Sequence, residues 1–451
     1  MNAPLRRGAC PGLSAPMPTG DGLLVRMRPV GTMTLAAFAR LCAAARAHGN
    51  GVIEITARGS IQVRGLRAAS AADFATEIAA LDIAAADGVA VLTNPLAGLD
   101  PDELIDAGAL AATLRNALAE GALAARLSPK VSVIVDGGGA PGLATLAADV
   151  RLRAKLINNR AALRVCVGGD ESNAPQLGCV AQENGVRTAI RLLEFLARRG
   201  RPLRARDILA GEGVRPFSAT IADLLLAGEQ DVDGRNIGER SDAVLRTAMP
   251  GHDAHLIGLH RLRDGSFACG IGLAFGHADA AMLERLAAAA HEAGAVGFRA
   301  APGRALLTIG LLPAIACAFT LAAEKLGFIV RSDDPRRHVI ACAGAPYCAS
   351  AYISARAIAP RIAEIAGAHR AAPLKVHVSG CSKGCAHPAP AALTIVGTPE
   401  GCALIVDGST RDAPFATVSP QDLPAAIARH AEFGHAEFGQ AEFGHAEFGH
   451  V

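Results

Sequence analysis

The chain has no tryptophan and only two tyrosines in 451 residues. Without aromatic stacking platforms it does not read as a single-strand nucleic-acid binder. A formal net charge of +2 supplies no field to attract a polyanion either. No apolar run reaches the roughly 18–20 uncharged residues of a membrane span, and the positive start Met1–Cys10 has no apolar segment behind it. A soluble protein of the cytoplasm is expected, with neither nucleic acid nor membrane as partner. Apolar content of 51% with 19% charged residues excludes general disorder. The length allows two to four domains.

Lysine is scarce, five residues against 39 arginines. Genomic base composition accounts for much of that total. The guanidinium fork is nevertheless the better bidentate partner for carboxylates, so a polycarboxylate substrate would find suitable contacts.

The chemistry centres on cysteine. There are eleven, an odd number partly in tight pairs, which argues for cofactor ligation in a reducing compartment over a disulfide framework. Cys342-Ala-Gly-Ala-Pro-Tyr-Cys348 is followed after 32 residues by Cys381-Ser-Lys-Gly-Cys385. The spacer reads as a helix with a kink at Pro360, then a strand Leu374–Val378 that delivers Cys381. Zinc ligand pairs most often enclose two or four residues, so five and three fit zinc less well. Four-thiolate ligation of a [4Fe-4S] cluster suits the loops better, and the small residues around them let backbone N–H groups approach sulfur. The competing reading is four cysteines packed in a core.

Around this stretch the chain is duplicated. A strand in Asp21–Pro29, a helix Leu35–His48 stopped by Gly49, strands Val52–Thr56 and Ser60–Arg64, and a helix Asp73–Leu81 form a ferredoxin-like half unit. The order returns as a strand from Asp264, a helix Ala280–His291 stopped by Gly294, and strands Val296–Ala300 and Ala305–Gly310. Gly22, Gly49 and Gly65 are spaced by 27 and 16 residues, and Gly265, Gly294 and Gly310 by 29 and 16. Between the copies, strands Val131–Val135 and Leu163–Val167 and an amphipathic helix Gly185–Arg199 mark another domain. Strand His338–Ala341 leads into Cys342, and Leu393–Val396 with Ala403–Val406 predict a hairpin after the cysteines. From His430 a five-residue unit containing Ala-Glu-Phe-Gly recurs. That period fits neither helix nor strand, and a disordered tail is expected, with weak metal binding by His435, His445 and His450 as the alternative.

The cysteine pattern, with Ser379-Gly-Cys-Ser-Lys-Gly-Cys-Ala-His-Pro388, resembles the nitrite and sulfite reductase family, and most closely its precorrin-3B synthase branch. The resemblance covers roughly Gly8 to His430. It implies a mixed α+β and α/β fold in which two ferredoxin-like half domains (8–85 and 255–325) alternate with two α/β domains (90–245 and 335–430), before the tail 430–451. It also implies that Cys342, Cys348, Cys381 and Cys385 bind a [4Fe-4S] cluster, the last also bridging to sirohaem iron in the reductases. In those enzymes an arginine and a lysine pair surround the substrate. Thr56-Ala-Arg58-Gly and Ser128-Pro-Lys130 match the arginine and the first lysine, but Ser132 replaces the second lysine and Ala90–Asn94 lacks a further arginine. Loss of these cations weighs against reduction of a small anion. In the precorrin-3B synthase branch a tetrapyrrole, precorrin-3A, is substrate and dioxygen is the oxidant. The reaction hydroxylates C20 and closes a γ-lactone, with reducing equivalents from NAD(P)H.

Arg58, Arg64, Lys130 and Arg304 are accordingly the candidates for substrate carboxylates, with exposed hairpin arginines the competing reading for Arg64 and Arg304. His387 is the candidate acid/base or hydrogen-bonding group, and His377 reads as a packed core histidine. Two histidines and a carboxylate would also suffice for a mononuclear non-haem iron. No Gly-x-Gly-x-x-Gly follows a strand, so a separate reductase is expected as electron donor. A sirohaem-dependent sulfite or nitrite reductase and an iron–sulfur electron carrier or redox sensor remain the alternative functions.

Overall fold

The computed structural model describes residues 11–226, 256–368 and 374–433. It divides into two compact units. One comprises residues up to Pro18, Gly22–Leu273 and His277–Ser332. The other comprises Thr19–Asp21, Ala274–Gly276 and the chain from Asp333.

The first unit contains both half domains, and each follows the predicted order. Helix Leu35–His48 starts where the Thr34 side chain accepts a hydrogen bond from the Ala37 N–H, and it buries Phe38, Leu41, Cys42 and Ala45. Its counterpart, Ala280–Glu292, is capped in the same way by Asp279 and buries Leu283, Leu286, Ala287 and Ala290. The two five-stranded sheets complete each other. Met33–Thr34 of the first half pairs with Gly297–Ala301 of the second, and His277–Asp279 of the second half pairs with Val52–Ile55 of the first. The duplication also extends to an irregularity in strand pairing. Register shifts opposite Gly65 and opposite Gly310, where φ is +68° and +84°, a conformation that glycine adopts without steric cost. Both halves share one core, in which the Phe38 and Phe298 rings lie 4.6 Å apart.

The third sheet of this unit runs in the order Gln176–Ala181, Arg160–Gly169, Ala148–Ile157, Ser132–Asp136, Ala90–Thr93. The last three strands are parallel. Helices Ala107–Glu120 and Gly185–Arg199 cover one face, burying Leu114 and Leu118 beside Leu192, Leu193 and Leu196. In Ala148–Ile157, Val150, Leu152 and Ala154 enter that core, while Asp149, Arg151, Arg153 and Lys155 alternate with them and so point to the opposite face.

In the second unit Val339–Ala341 and Val376–Ser379 are parallel, and the predicted hairpin forms as Ala391–Thr398 against Gly401–Gly408. Helix Ala355–Ala368 contains Pro360 and buries Ala359, Ile362, Ala363 and Ala366. The last helix, Leu423–Phe433, takes in the first His-Ala-Glu-Phe of the repeat. The remaining copies, with His435, His445 and His450, lie outside the described residues. Among the described residues no helix is long and apolar enough to cross a membrane.

Candidate functional site

In the second unit the two parallel strands end side by side and release both cysteine pairs from the same edge of the sheet. The Cys342 N–H continues the ladder by donating to the Val378 carbonyl (3.1 Å), and the Gly380 N–H donates to Cys342 Sγ (3.1 Å). Burial pushes the Cys342 thiol up, the N–H groups of Gly380 and Gly344 pull it down, and Cys348 and Cys381 raise it again. Cys385 is the most exposed of the four. Packing around its sulfur still raises its thiol, followed by Cys381, Cys342 and Cys348, against the pull of Lys383. Cys342 thus feels Cys348 and Cys381, and Cys385 feels the other three.

Small residues make this approach feasible. A Cβ on Gly380 would stand 2.7 Å from Ala351 Cβ and 3.2 Å from Gly344 Cα. Gly20, at the tip Thr19–Asp21, leaves no room for a Cβ against Cys348 and Ala349. Lys383 Nζ donates to Ser350 Oγ (2.7 Å), tying the two cysteine loops together. Four soft thiols, sulfur-directed N–H groups and a glycine-lined cradle fit an iron–sulfur cluster. Among the described residues no three His, Cys, Asp or Glu side chains converge closely enough for a single metal ion.

His377 is fully buried, and its ring lies 5.6 Å from that of His387 in an edge-to-face arrangement. His387 Nε2 is 3.3 Å from the Pro390 carbonyl oxygen.

The first unit has a pocket of its own, lined by Arg28, Arg58, Arg115 and Arg299 together with the strand Ala90–Thr93 and Asn94. Arg58 donates to the Ala147 carbonyl (2.8 Å) and to Ser132 Oγ (3.4 Å). Burial, then Arg204, lowers its affinity for its proton, and Asp149 opposes them. Arg299 spans three segments, donating to Thr32 Oγ1 and to the carbonyls of Pro95 and Ala97.

The other predicted carboxylate contacts are placed elsewhere. Arg64 is 5% exposed, with Nε 3.5 Å from Glu54 Oε1, so it is neither an exposed hairpin arginine nor part of the pocket lining. Lys130 is exposed, just before strand Ser132–Asp136. Arg304 occupies the turn between Gly297–Ala301 and Ala305–Leu311 at φ +63°. Arg28, Arg115 and Arg299 were not singled out by sequence. Only their distant partners across the fold distinguish them among so many arginines.

These features define a class. Residues 15–81 match the nitrite/sulfite reductase ferredoxin-like half domain. The fold as a whole is similar to that of the Mycobacterium tuberculosis NirA protein, with a TM-score of 0.68 over 91% of this chain and 80% of that one at 18% identity. Within that architecture the sequence is 39% identical to a precorrin-3B synthase from Sinorhizobium sp over 428 residues, 95% of this chain and 88% of the relative. The chain belongs to the precorrin-3B synthase family.

Proposed function

We propose that the chain is a precorrin-3B synthase, an oxygenase of cobalamin biosynthesis. Its substrate is precorrin-3A, which it hydroxylates at C20 with γ-lactone formation. The identity maintained over 95% of the chain carries this reading. The chemistry of the pocket supports it: where an anion reductase needs a second lysine, Ser132 accepts a hydrogen bond from Arg58. This leaves a guanidinium held in place for a carboxylate.

Cys342, Cys348, Cys381 and Cys385 hold a [4Fe-4S] cluster, which when bound supplies one-electron redox capacity. The Gly380 and Gly344 N–H groups stabilise the thiolate of Cys342, and Lys383 favours that of Cys385. Arg58 binds and orients a substrate carboxylate. His387, half-buried two residues beyond Cys385, is the candidate to hold or move a proton through its ring nitrogens. Insertion of one oxygen atom from dioxygen, with the other leaving as water, requires two electrons. NAD(P)H is their ultimate source, through a separate reductase.

The test is incubation of the anaerobically purified protein with precorrin-3A and a reductant, with and without labelled dioxygen. One labelled oxygen atom in the product, present only in the aerobic sample, is expected. Unchanged substrate in the presence of oxygen and intact cluster would remove the assignment.

A further inference from the structure

The arginine pocket of the first unit contains a cation that no part of the reading above uses. Arg115 lies on helix Ala107–Glu120 and reaches under the sheet edge, where its Nη2 donates to the Val91 carbonyl at 3.0 Å. Its Nε is buried without a hydrogen-bond partner. A buried donor left unmade is unfavourable, so a ligand that accepts from it is favoured. Burial and the neighbouring charge of Arg28 both disfavour its protonated form. Arg28, which also lines the pocket, is oriented by the carbonyls of Ala86 (3.1 Å) and Gly88 (2.8 Å). The described lining residues include four arginines and no aspartate or glutamate. Two like charges brought together in a partly desolvated pocket are stabilised by an anion that accepts from both.

We infer that Arg115, with Arg28 beside it, forms a carboxylate-binding subsite for an acidic side chain of the tetrapyrrole. The subsite acts in addition to Arg58 and determines specificity for polycarboxylate substrates. The inference rests on the tetrapyrrole reading of the pocket and deepens it. Arg115 supplies the unpartnered Nε donor, and Arg28 is oriented by two backbone carbonyls. A carboxylate bound there accepts charge-assisted hydrogen bonds in place of water. The competing source of an anion is the phosphate of the nicotinamide donor.

The test uses holoprotein under anaerobic conditions and equilibrium dialysis against uroporphyrin, an octacarboxylic porphyrin, with NADP+ and inorganic phosphate as separate probes. Arg115→Gln should weaken uroporphyrin binding about tenfold to a hundredfold. Arg115→Lys should restore part of it, because a lysine keeps the charge without the fork. Iron content and melting temperature are measured on the same preparations. Where Arg115→Gln does not fold, Arg28→Gln is read in its place with the same expectation. Unchanged uroporphyrin affinity in a folded variant overturns the inference, as does a loss confined to NADP+ or phosphate. A protein that binds uroporphyrin through Arg115 yet adds no oxygen to precorrin-3A would refute the proposed reaction and leave the subsite standing.

Discussion

Replacing Asp149 should destabilise the first unit more than any other single loss of a carboxylate near the pocket. The residue is 2% exposed. Its Oδ1 accepts from Arg204 Nε (2.8 Å) and the Ala205 N–H (3.0 Å). Its Oδ2 accepts from Arg204 Nε (3.0 Å), Arg204 Nη2 (2.6 Å) and the Ser132 N–H (2.9 Å). Breaking a buried pair by removing one partner costs about 3–5 kcal/mol, because the remaining charge stays buried. The Arg204 side chain keeps 17% exposure, so water relieves part of its charge and the lower end applies, about 3 kcal/mol. A loss of that size corresponds to a fall of roughly 6–12 °C in melting temperature for a domain of a few hundred residues. The measurement is the circular-dichroism melt of Asp149→Ala and of the double variant Asp149→Leu with Arg204→Met. The double variant should recover much of the loss, since no charge is then left unpaired. A single variant melting within a degree of the parent, or a double variant worse than Asp149→Ala, would refute the reasoning.

Four further outcomes follow from the same geometry. Cys381→Ser or Cys348→Ser should abolish the brown chromophore and the expected content of about four irons per chain; stoichiometric zinc in the parent protein would end the cluster assignment. Arg58→Ala should weaken uroporphyrin binding about tenfold to a hundredfold with an unchanged cluster spectrum, and Arg58→Lys should recover part of it; unchanged affinity would remove Arg58 from the pocket's function. Gly380→Ala forces a methyl group to within 2.7 Å of Ala351 Cβ, so it should cost about 1–3 kcal/mol of stability and lower iron content; a variant with parental melting and iron would show that the cradle tolerates a side chain. Burial pushes the Cys269 thiol up to about 11, so at pH 8, three units lower, only about one molecule in a thousand carries the thiolate. In the folded protein iodoacetamide should therefore modify exposed Cys317 and leave Cys269 intact, with Cys269 becoming reactive on denaturation, as peptide mass mapping would show.

Much of the fold is visible in local pattern. Helix Leu35–His48 announces itself by its Thr34 cap, its apolar spacing and Gly49, and Gly185–Arg199 by a single apolar stripe flanked by arginines. The four cysteines are legible because ligand spacing is itself a local signal. In the strand Ala148–Ile157 the charged residues Asp149 and Arg151 are buried, and their partners, Arg204 and the Leu143 carbonyl, are supplied only by the tertiary fold. Met33–Thr34 is too short to show any period and is a strand only because Gly297–Ala301 lies beside it. The pocket is the least legible part. Arg64 and Arg115 are chemically identical in the sequence, and only tertiary placement gives one Glu54 as a partner and the other the Val91 carbonyl.

The strands exchanged between the half domains also restrict how this protein can be divided. Each half on its own would end in a bare sheet margin, at Val52–Ile55 or Gly297–Ala301, that invites another chain to add to it. The arrangement is that of a two-fold dimer of half-length chains in which one polypeptide has replaced the two. Expressed separately, the halves should find each other or aggregate. Fusion removes that competition, since each margin meets its complement at an effective concentration set by the connecting chain and independent of how much protein the cell makes. It also frees the two copies to diverge, and here only one of them carries the arginine that donates to Ser132.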